Sequence, residues 1–153
     1  MERLDGQTVI VTGASRGLGA SMAKRFAREG ANTVLTARSR EGLESVADGA
    51  EGETLVVPAD VTDEAAVEAL VEATIDEYGE LTGLVNNAAI GMLSLHDELR
   101  EVVDISAEDW RLIMDVNVTG PFLCAKHAIP EMGAGNIVNI SSGLGRRGEA
   151  GWG

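Results

Sequence analysis

Cysteine, lysine and aromatic residues are scarce in this chain of 153 residues. The single cysteine, Cys124, cannot form an internal disulfide, so nothing in the cysteine content indicates an oxidising compartment. No apolar run is long enough to span a bilayer, and the first residues lack the basic head and apolar core of a secretory signal. We therefore expect a cytoplasmic protein without a membrane partner.

Basic residues are also few, since 12 Lys and Arg stand against 25 Asp and Glu, for a net charge of −13. An acidic surplus disfavours nucleic acids and anionic membranes as partners, because both are bound by positive charge that displaces their counterions. The acids are spread along the chain, which fits a well-solvated surface. A second interpretation is adaptation to high salt, where screening offsets self-repulsion and lysine is rare. Stability measured from low to multimolar KCl separates the two.

The sequence alternates short β-type runs with helical stretches from one end to the other. The predicted strands are residues 7–12, 32–37, 54–59, 83–87 and 136–141. The predicted helices are residues 17–29, 41–48, 63–78 and 107–132, with an irregular stretch at 89–105. Short strands separated by helices favour parallel pairing, right-handed crossovers and helices on both faces. We predict a single α/β domain over residues 1–153, with a doubly wound parallel sheet of about five strands.

A glycine-rich turn, T-G-A-S-R-G-L-G at residues 12–19, connects the first predicted strand to an amphipathic helix. Glycines without Cβ atoms let the backbone approach a pyrophosphate, and the N–H groups and dipole at the helix start attract its charge. Any tight strand-to-helix connection also favours glycine. The position after the first strand of a βαβ unit nevertheless favours a dinucleotide site, although the spacing is not G-x-G-x-x-G.

The T-G-x-x-x-G-x-G spacing resembles that of the short-chain dehydrogenase/reductase family, and four further matches follow in the family's order. They are Asp60-Val61, the N-N-A-A turn at residues 86–89, Asn117 within D-V-N-V-T-G, and the I-S-S sequence ending at Ser142. The resemblance covers essentially the whole chain and implies a Rossmann-like domain whose C-terminal part is missing. The cofactor-binding residues that it implies are Thr12, Gly13, Ser15, Arg16, Gly17, Leu18, Gly19, Arg38, Asp60, Val61, Asn87, Ala88 and Ala89. The family pattern has Gly in place of Ala89, so we expect the added methyl to crowd the cofactor slightly.

The end of the second predicted strand indicates which nicotinamide cofactor is used. An acid there would hold the ribose 2′-OH and repel a 2′-phosphate. The sequence instead has T-A-R-S at residues 36–39, with no acid before Glu41. Arg38 can pair with a phosphate, and Arg16 can reach the same place from the glycine-rich turn. We predict a preference for NADP(H), with NAD(H) as the second cofactor; the alternative is that both arginines are solvated surface residues.

The catalytic residues that the resemblance implies are incomplete. In the family, a Tyr donates a proton, a Lys lowers its pKa, a Ser holds the substrate oxygen and an Asn supports a proton relay through water. Ser142 matches the Ser, although two serines at a strand end otherwise indicate a turn or cap. Asn117 matches the Asn, and Pro121 lacks the N–H that would bond the carbonyl of residue 117. That free carbonyl, together with the side-chain amide, can fix a water; a tolerated polar residue beside a proline kink is the alternative.

The family's Y-x-x-x-K motif would begin just beyond Gly153, and the only tyrosine, Tyr78, belongs to the predicted helix 63–78. His96 and His127 are separate in the sequence, and no cluster of metal ligands is evident. We therefore interpret the chain as a fragment or truncated product of an NADP(H)-dependent oxidoreductase of alcohols or carbonyls, homo-oligomeric at full length. A non-catalytic dinucleotide-binding module is one alternative. An epimerase or dehydratase relative is another, disfavoured because those proteins usually have T-G-x-x-G-x-x-G.

We predict that the 153-residue chain binds cofactor at best and shows no meaningful turnover. Reduction of a carbonyl needs a proton donor for the developing alkoxide, and the matched residues supply none. The measurement is NADPH oxidation by the purified chain with a panel of carbonyl compounds. Robust NADPH-dependent reduction would contradict this prediction.

Overall fold

The computed structural model describes residues 3–143, which form a parallel sheet with helices on both faces. The strands are β1 Thr8–Thr12, β2 Asn32–Thr36, β3 Thr54–Val56, β4 Gly83–Asn86 and β5 Asn136–Asn139. Their order is β3-β2-β1-β4-β5, and every neighbouring pair is parallel. The predicted doubly wound α/β fold is confirmed. Because the order reverses at β1 and β4, their carboxyl ends flank the crevice where open α/β sheets bind ligands.

Residues 3–143 include six α-helices, and a side chain caps the start of three of them. They are α1 Gly17–Arg28, α2 Arg40–Asp48, α3 Glu64–Tyr78, α4 Met92–His96, α5 Ala107–Met114 and α6 Gly120–Glu131. The side chain of Asp63 accepts hydrogen bonds from the N–H groups of Ala65 and Ala66 at the start of α3. Ser106 caps α5 by accepting from the N–H of Asp109. Within residues 3–143, no helix has the length and apolarity needed to cross a membrane.

Successive side chains of a strand point to opposite sides of the sheet. Both sides of β1, β2 and β4 are buried, whereas β5 is largely exposed. On one face, side chains of β1, β2 and β4 pack with residues of α3 and α6: Ile10, Val34, Leu84, Val67, Leu70 and Leu123. On the other face, the alternate side chains pack with residues of α1 and α2: Val11, Leu35, Val85, Ala23 and Leu43. Because side chains on both sides of these strands lie in a hydrophobic core, their sequences are continuous apolar runs.

The structure corrects two predicted elements. Residues 107–132, predicted as one helix, form α5 and α6 joined by a π-helical turn at Asp115–Thr119, in which the Gly120 N–H bonds the Asp115 carbonyl. Pro121 has no N–H with which to continue the α-helical pattern, so the change of register lies just before it. Residues 89–105, predicted as irregular, contain α4 and a 3₁₀ turn at Val102–Asp104, which are too short for periodicity to indicate.

The third strand is shorter than predicted and ends at Val56, two residues before Pro58. The N–H groups of Val57 and Ala59 still donate to the carbonyls of Leu35 and Ala37, at 3.1 and 3.2 Å. Pro58 occupies the alternate position on an edge strand, where a missing N–H removes no bond to β2. The remaining element boundaries differ from the predicted ones by one or two residues.

Two threonines of β2, Thr33 and Thr36, are both 0% exposed but differ in their hydrogen bonding. Thr33 Oγ1 donates to the carbonyl of Ala31 at 3.3 Å. Thr36 Oγ1 has no hydrogen-bond partner among residues 3–143. A buried polar group left without a partner costs about 1–3 kcal/mol, so the two hydroxyls contribute to stability with opposite signs.

We predict that Thr36→Val leaves the free energy of unfolding unchanged or raises it by about 1 kcal/mol, because it removes an unsatisfied hydroxyl. Thr33→Val is the matched control and lowers the same free energy by about 1 kcal/mol, because it removes a satisfied one. Urea denaturation measures both changes. A larger loss for Thr36→Val than for Thr33→Val would show this assignment to be wrong.

Candidate cofactor-binding site

A cavity of about 610 Å³ lies at the carboxyl edge of the sheet. Five segments line it: the glycine-rich turn, the junction of β2 and α2, the residues after β3, the turn after β4, and the π-helical turn. The lining includes twelve of the residues predicted to bind cofactor: Gly13, Ser15, Arg16, Gly17, Leu18, Gly19, Arg38, Asp60, Val61, Asn87, Ala88 and Ala89. The volume lies in the range of small-molecule and cofactor sites. Segments from five parts of the sequence therefore meet at one place of suitable size.

Thr12, the remaining predicted residue, lies beneath the cavity and joins two of its walls. Its Oγ1 accepts hydrogen bonds from the N–H groups of Asn87 and Ala88, at 3.0 and 2.9 Å, and donates to the Val85 carbonyl at 3.4 Å. The side-chain Nδ2 of Asn87 donates in return to the Thr12 carbonyl at 2.9 Å. Thr12 is 1% exposed, so these bonds form away from water and hold the two turns in fixed register.

Two glycines permit the close approach of these turns. Gly13 has φ +66°, and a Cβ there would lie 2.9 Å from the Ala88 Cα. A Cβ on Gly19 would lie 2.3 Å from the Gly13 carbonyl oxygen and 2.6 Å from Asn87 Nδ2. No side chain fits at either position without moving the backbone. The glycine spacing is thus required by contact between the two turns as well as by access for a ligand.

The electrostatic surroundings of the cavity favour an anionic ligand. Helix α1 begins at Gly17, a residue of the lining, and its first turn contains no acidic residue. The N–H groups and dipole at that end attract negative charge. Arg16 and Arg38, both exposed residues of the lining, add cationic side chains.

Asp60 is the one acidic residue of the lining, and its charge is held by local hydrogen bonds. Its Oδ1 accepts from the N–H of Thr62 at 2.9 Å and from the Thr62 hydroxyl at 2.7 Å. Burial raises the pKa of the Asp60 carboxyl, but these two bonds and the charge of Arg38 lower it on balance below its usual value. The ionised Asp60 carboxylate therefore stabilises the folded protein in full above the usual Asp pKa. This stabilisation is lost as the pH falls through the lowered pKa.

Asn117 lies in the π-helical turn and positions the backbone at one end of the cavity. Its Oδ1 accepts from the N–H of Ile90 at 2.9 Å, and its Nδ2 donates to the Ile90 carbonyl at 2.8 Å. Ile90 and Val116 both line the cavity. Both polar atoms of the side-chain amide are thereby engaged with the Ile90 backbone.

Ser142 follows β5 and is exposed, and it is not part of the cavity lining. It lies three residues beyond Asn139, which pairs with Asn86 of β4 in the sheet register. Asn86 Nδ2 also donates to Asn139 Oδ1 at 2.9 Å. The two strands therefore end at the same edge of the sheet, and Ser142 follows the strand that neighbours β4.

The other titratable residues weighed from the sequence lie outside the cavity lining. His96 Nε2 is 3.0 Å from an Asp109 carboxylate oxygen, and His127 Nε2 is 3.1 Å from a Glu64 oxygen. Burial raises the pKa of the Cys124 thiol to about 11, which keeps it protonated. In the part of the chain that the structure describes, no group of three or more His, Cys, Asp or Glu is placed to hold a metal.

Six residues of the lining were missed by the sequence reasoning: Ala37, Ser39, Gly42, Ala59, Ile90 and Val116. Five of them adjoin predicted site residues and could have been included on that ground. Ser39 could also have been found as the cap of α2, since its side chain accepts from the Gly42 N–H. Gly42 itself carries no sequence signal, because a glycine within a helix indicates only a weak helix.

Ala89, where a Gly was expected from the resemblance, needs no unusual backbone conformation. Among the non-glycine residues that the structure describes, only Asp97 has a positive φ. Ala89 is exposed at the cavity, so its methyl group lies in the lining without backbone strain. The Ala89 methyl group can therefore affect a bound ligand only by touching it directly.

Comparison with known proteins agrees with this arrangement. The sequence model of a family described as short chain dehydrogenase matches residues 7–153. An uncharacterized oxidoreductase of Methylorubrum extorquens is 37% identical over 147 residues, which cover 93% of this chain and 57% of the relative. Glucose 1-dehydrogenase 2 of Bacillus subtilis is 38% identical over 149 residues, covering 91% and 55%. The 3beta-hydroxysteroid dehydrogenase 1 of Eggerthella lenta is 39% identical over 148 residues, covering 91% and 54%. The chain spans little more than half the length of these relatives.

We predict that Thr12→Val lowers the free energy of unfolding by about 2–4 kcal/mol, because two partly buried N–H groups lose their acceptor at about 1–2 kcal/mol each. Thr12→Ser keeps the hydroxyl and loses one methyl group, so we expect a loss of about 1 kcal/mol. Chemical denaturation of the two variants measures the difference. Equal losses would mean that the methyl group, not the hydroxyl, stabilises the two turns.

Proposed function

Because the chain belongs to the short-chain dehydrogenase/reductase family, we propose that it forms the cofactor-binding part of an NADP(H)-dependent oxidoreductase. The reaction is hydride transfer between NADP(H) and an alcohol or carbonyl substrate. The observation that carries the proposal is a cavity that combines the glycine-rich turn with two arginines, Arg16 and Arg38. The relatives named for glucose and for a hydroxysteroid support the reaction class, and they differ in substrate.

The residues of the cavity fit such a cofactor group by group. The glycine-rich turn and the first N–H groups of α1 would hold the pyrophosphate. Asp60 and Val61 would contact the adenine, while Ala89 and Ile90 would lie toward the nicotinamide. The bound cofactor supplies or accepts the hydride. The protein's own part is to hold it at the sheet edge and to exclude water from its reactive end.

The preference for NADP(H) over NAD(H) rests on charge at the end of β2. The strand ends at Thr36, and the next charged residue of the lining is Arg38 rather than an acid. An acid at that position would hold the free ribose hydroxyl of NAD(H) and repel a phosphate. A guanidinium group pairs with phosphate through two parallel hydrogen bonds. Arg16 provides a second such group from the glycine-rich turn.

The proposed roles beyond cofactor binding belong to Ser142 and Asn117. Ser142 would hold the substrate oxygen, and Asn117 is a positioning residue that fixes Ile90 through its side-chain amide. Tyr78, the only tyrosine of the chain, is not in the cavity lining; it is the last residue of α3 and packs against the hydrophobic core. Burial, with the charges of Glu77 and Glu53, raises its pKa above the usual value, which is unsuited to proton donation.

We predict that Arg38→Ala weakens NADPH binding about tenfold or more, because a lost charge-assisted hydrogen bond costs about 1.5–3 kcal/mol. NADH binding should change by much less, because NADH has no 2′-phosphate. Fluorescence titration of the purified chain with each cofactor gives the dissociation constants. Wild-type affinities that are equal for NADPH and NADH would overturn the proposed preference.

Arg40→Ala is the matched control for that experiment. Arg40 is an exposed arginine two residues along the chain, pairs with Glu44 at 3.6 Å, and does not line the cavity. It carries the same charge as Arg38, so a general change in net charge would affect both variants alike. We expect NADPH affinity to be nearly unchanged in Arg40→Ala.

A further inference from the structure

Gly42 lies in the first turn of α2, against the glycine-rich turn, and it lines the cavity. Its N–H donates to Ser39 Oγ at 3.2 Å, which caps the helix. A Cβ added at Gly42 would lie 3.0 Å from the Ser15 Cβ, 3.2 Å from Ser39 Oγ and 3.5 Å from the Ser15 carbonyl oxygen. The start of α2 and the glycine-rich turn are therefore in contact through a residue that has no side chain.

Close approach, rather than backbone conformation, explains the glycine at this position. Gly42 is not among the glycines with positive φ, so any residue could adopt its backbone angles. Glycine inside a helix is less favourable than alanine, and α2 has nothing to gain from it locally. At Gly49, which ends the same helix, the nearest atom to an added Cβ is the flexible end of Lys24. The first turn of α2 is thus the tightly packed end of the helix.

The contact between Gly42 and Ser15 lies between the two segments that carry the arginines. Arg16 directly follows Ser15 in the glycine-rich turn, and Arg38 directly precedes Ser39 at the cap of α2. Charge-assisted hydrogen bonds to phosphate form over about 2.7–2.9 Å, a narrow range. A shift of a few tenths of an ångström between the two segments therefore changes how well both arginines reach one phosphate. A ribose without the phosphate does not require both arginines.

We propose that Gly42 is a specificity-determining residue of this site. By letting α2 lie against Ser15, it holds Arg16 and Arg38 at the separation that grips a 2′-phosphate from two sides. Gly42 acts through the arginines, so it is a positioning residue. The inference rests on the proposed function, namely that the cavity binds NADP(H).

The test is the ratio of NADPH to NADH affinity in Gly42→Ala. We expect NADPH binding to weaken about fivefold or more and NADH binding to change less than about twofold, so the ratio falls. Alanine favours the helix, so the thermal midpoint should not fall. Gly49→Ala is the control on the same helix and should leave both affinities unchanged.

Ser15→Gly provides a second, independent test, because it removes the Ser15 Cβ that the methyl group of Gly42→Ala would contact. In the double variant Ser15→Gly/Gly42→Ala, the affinity ratio should return to that of Ser15→Gly alone, which a double-mutant cycle measures as coupling. Equal weakening of NADPH and NADH, or no change in Gly42→Ala, would overturn the role of Gly42. A wild-type chain that binds both cofactors equally would instead overturn the proposed function, so the two failures are distinguishable.

Discussion

The hydrogen bonds of the Thr12 hydroxyl are the constraint on which the site depends. β1 and β4 are parallel neighbours in register, with Val11 opposite Val85, so the two strands end side by side. One buried oxygen then serves the backbone of both connections, since it accepts from Asn87 and Ala88 and donates to Val85. The glycines of the first turn follow from this contact, because a Cβ at Gly13 or Gly19 would meet the second turn.

The chemistry of the site follows from topology more than from any single segment. Parallel strands end at one edge, and each strand or the residues after it bring different groups to that edge. β1 brings the glycine-rich turn, β2 brings Arg38, β3 brings Asp60, and β4 brings the turn at residues 87–90. Pro58 shows how the local sequence fits this parallel pairing. It follows the edge strand β3, where its missing N–H removes no hydrogen bond to β2. The cavity is therefore built by the same pairing that buries the core.

Features that depend on neighbouring residues were predictable from the sequence, and those that depend on distant contacts were not. The strands and the glycine-rich turn could be assigned from the alternation of elements, and the resemblance to the family implied twelve of the lining residues. The bonds between Asn117 and Ile90 join residues 27 positions apart, and the contact of Gly42 with Ser15 leaves no trace in either segment. The π-helical turn before Pro121 was missed because apolar periodicity continues through it, although the proline marked the place.

The central claim is that residues 3–143 already contain a formed dinucleotide site at the sheet edge. The most direct test is amide chemical-shift mapping of the isotopically labelled chain during titration with NADPH. The account predicts saturable shifts centred on residues 13–19, 38–39, 60–61 and 87–90, which line the cavity. It also predicts little change along the separate groove between α3 and α6, which is lined by residues such as Glu72 and Pro130. A folded chain whose cavity amides do not shift, or whose shifts centre on that groove, would contradict the claim.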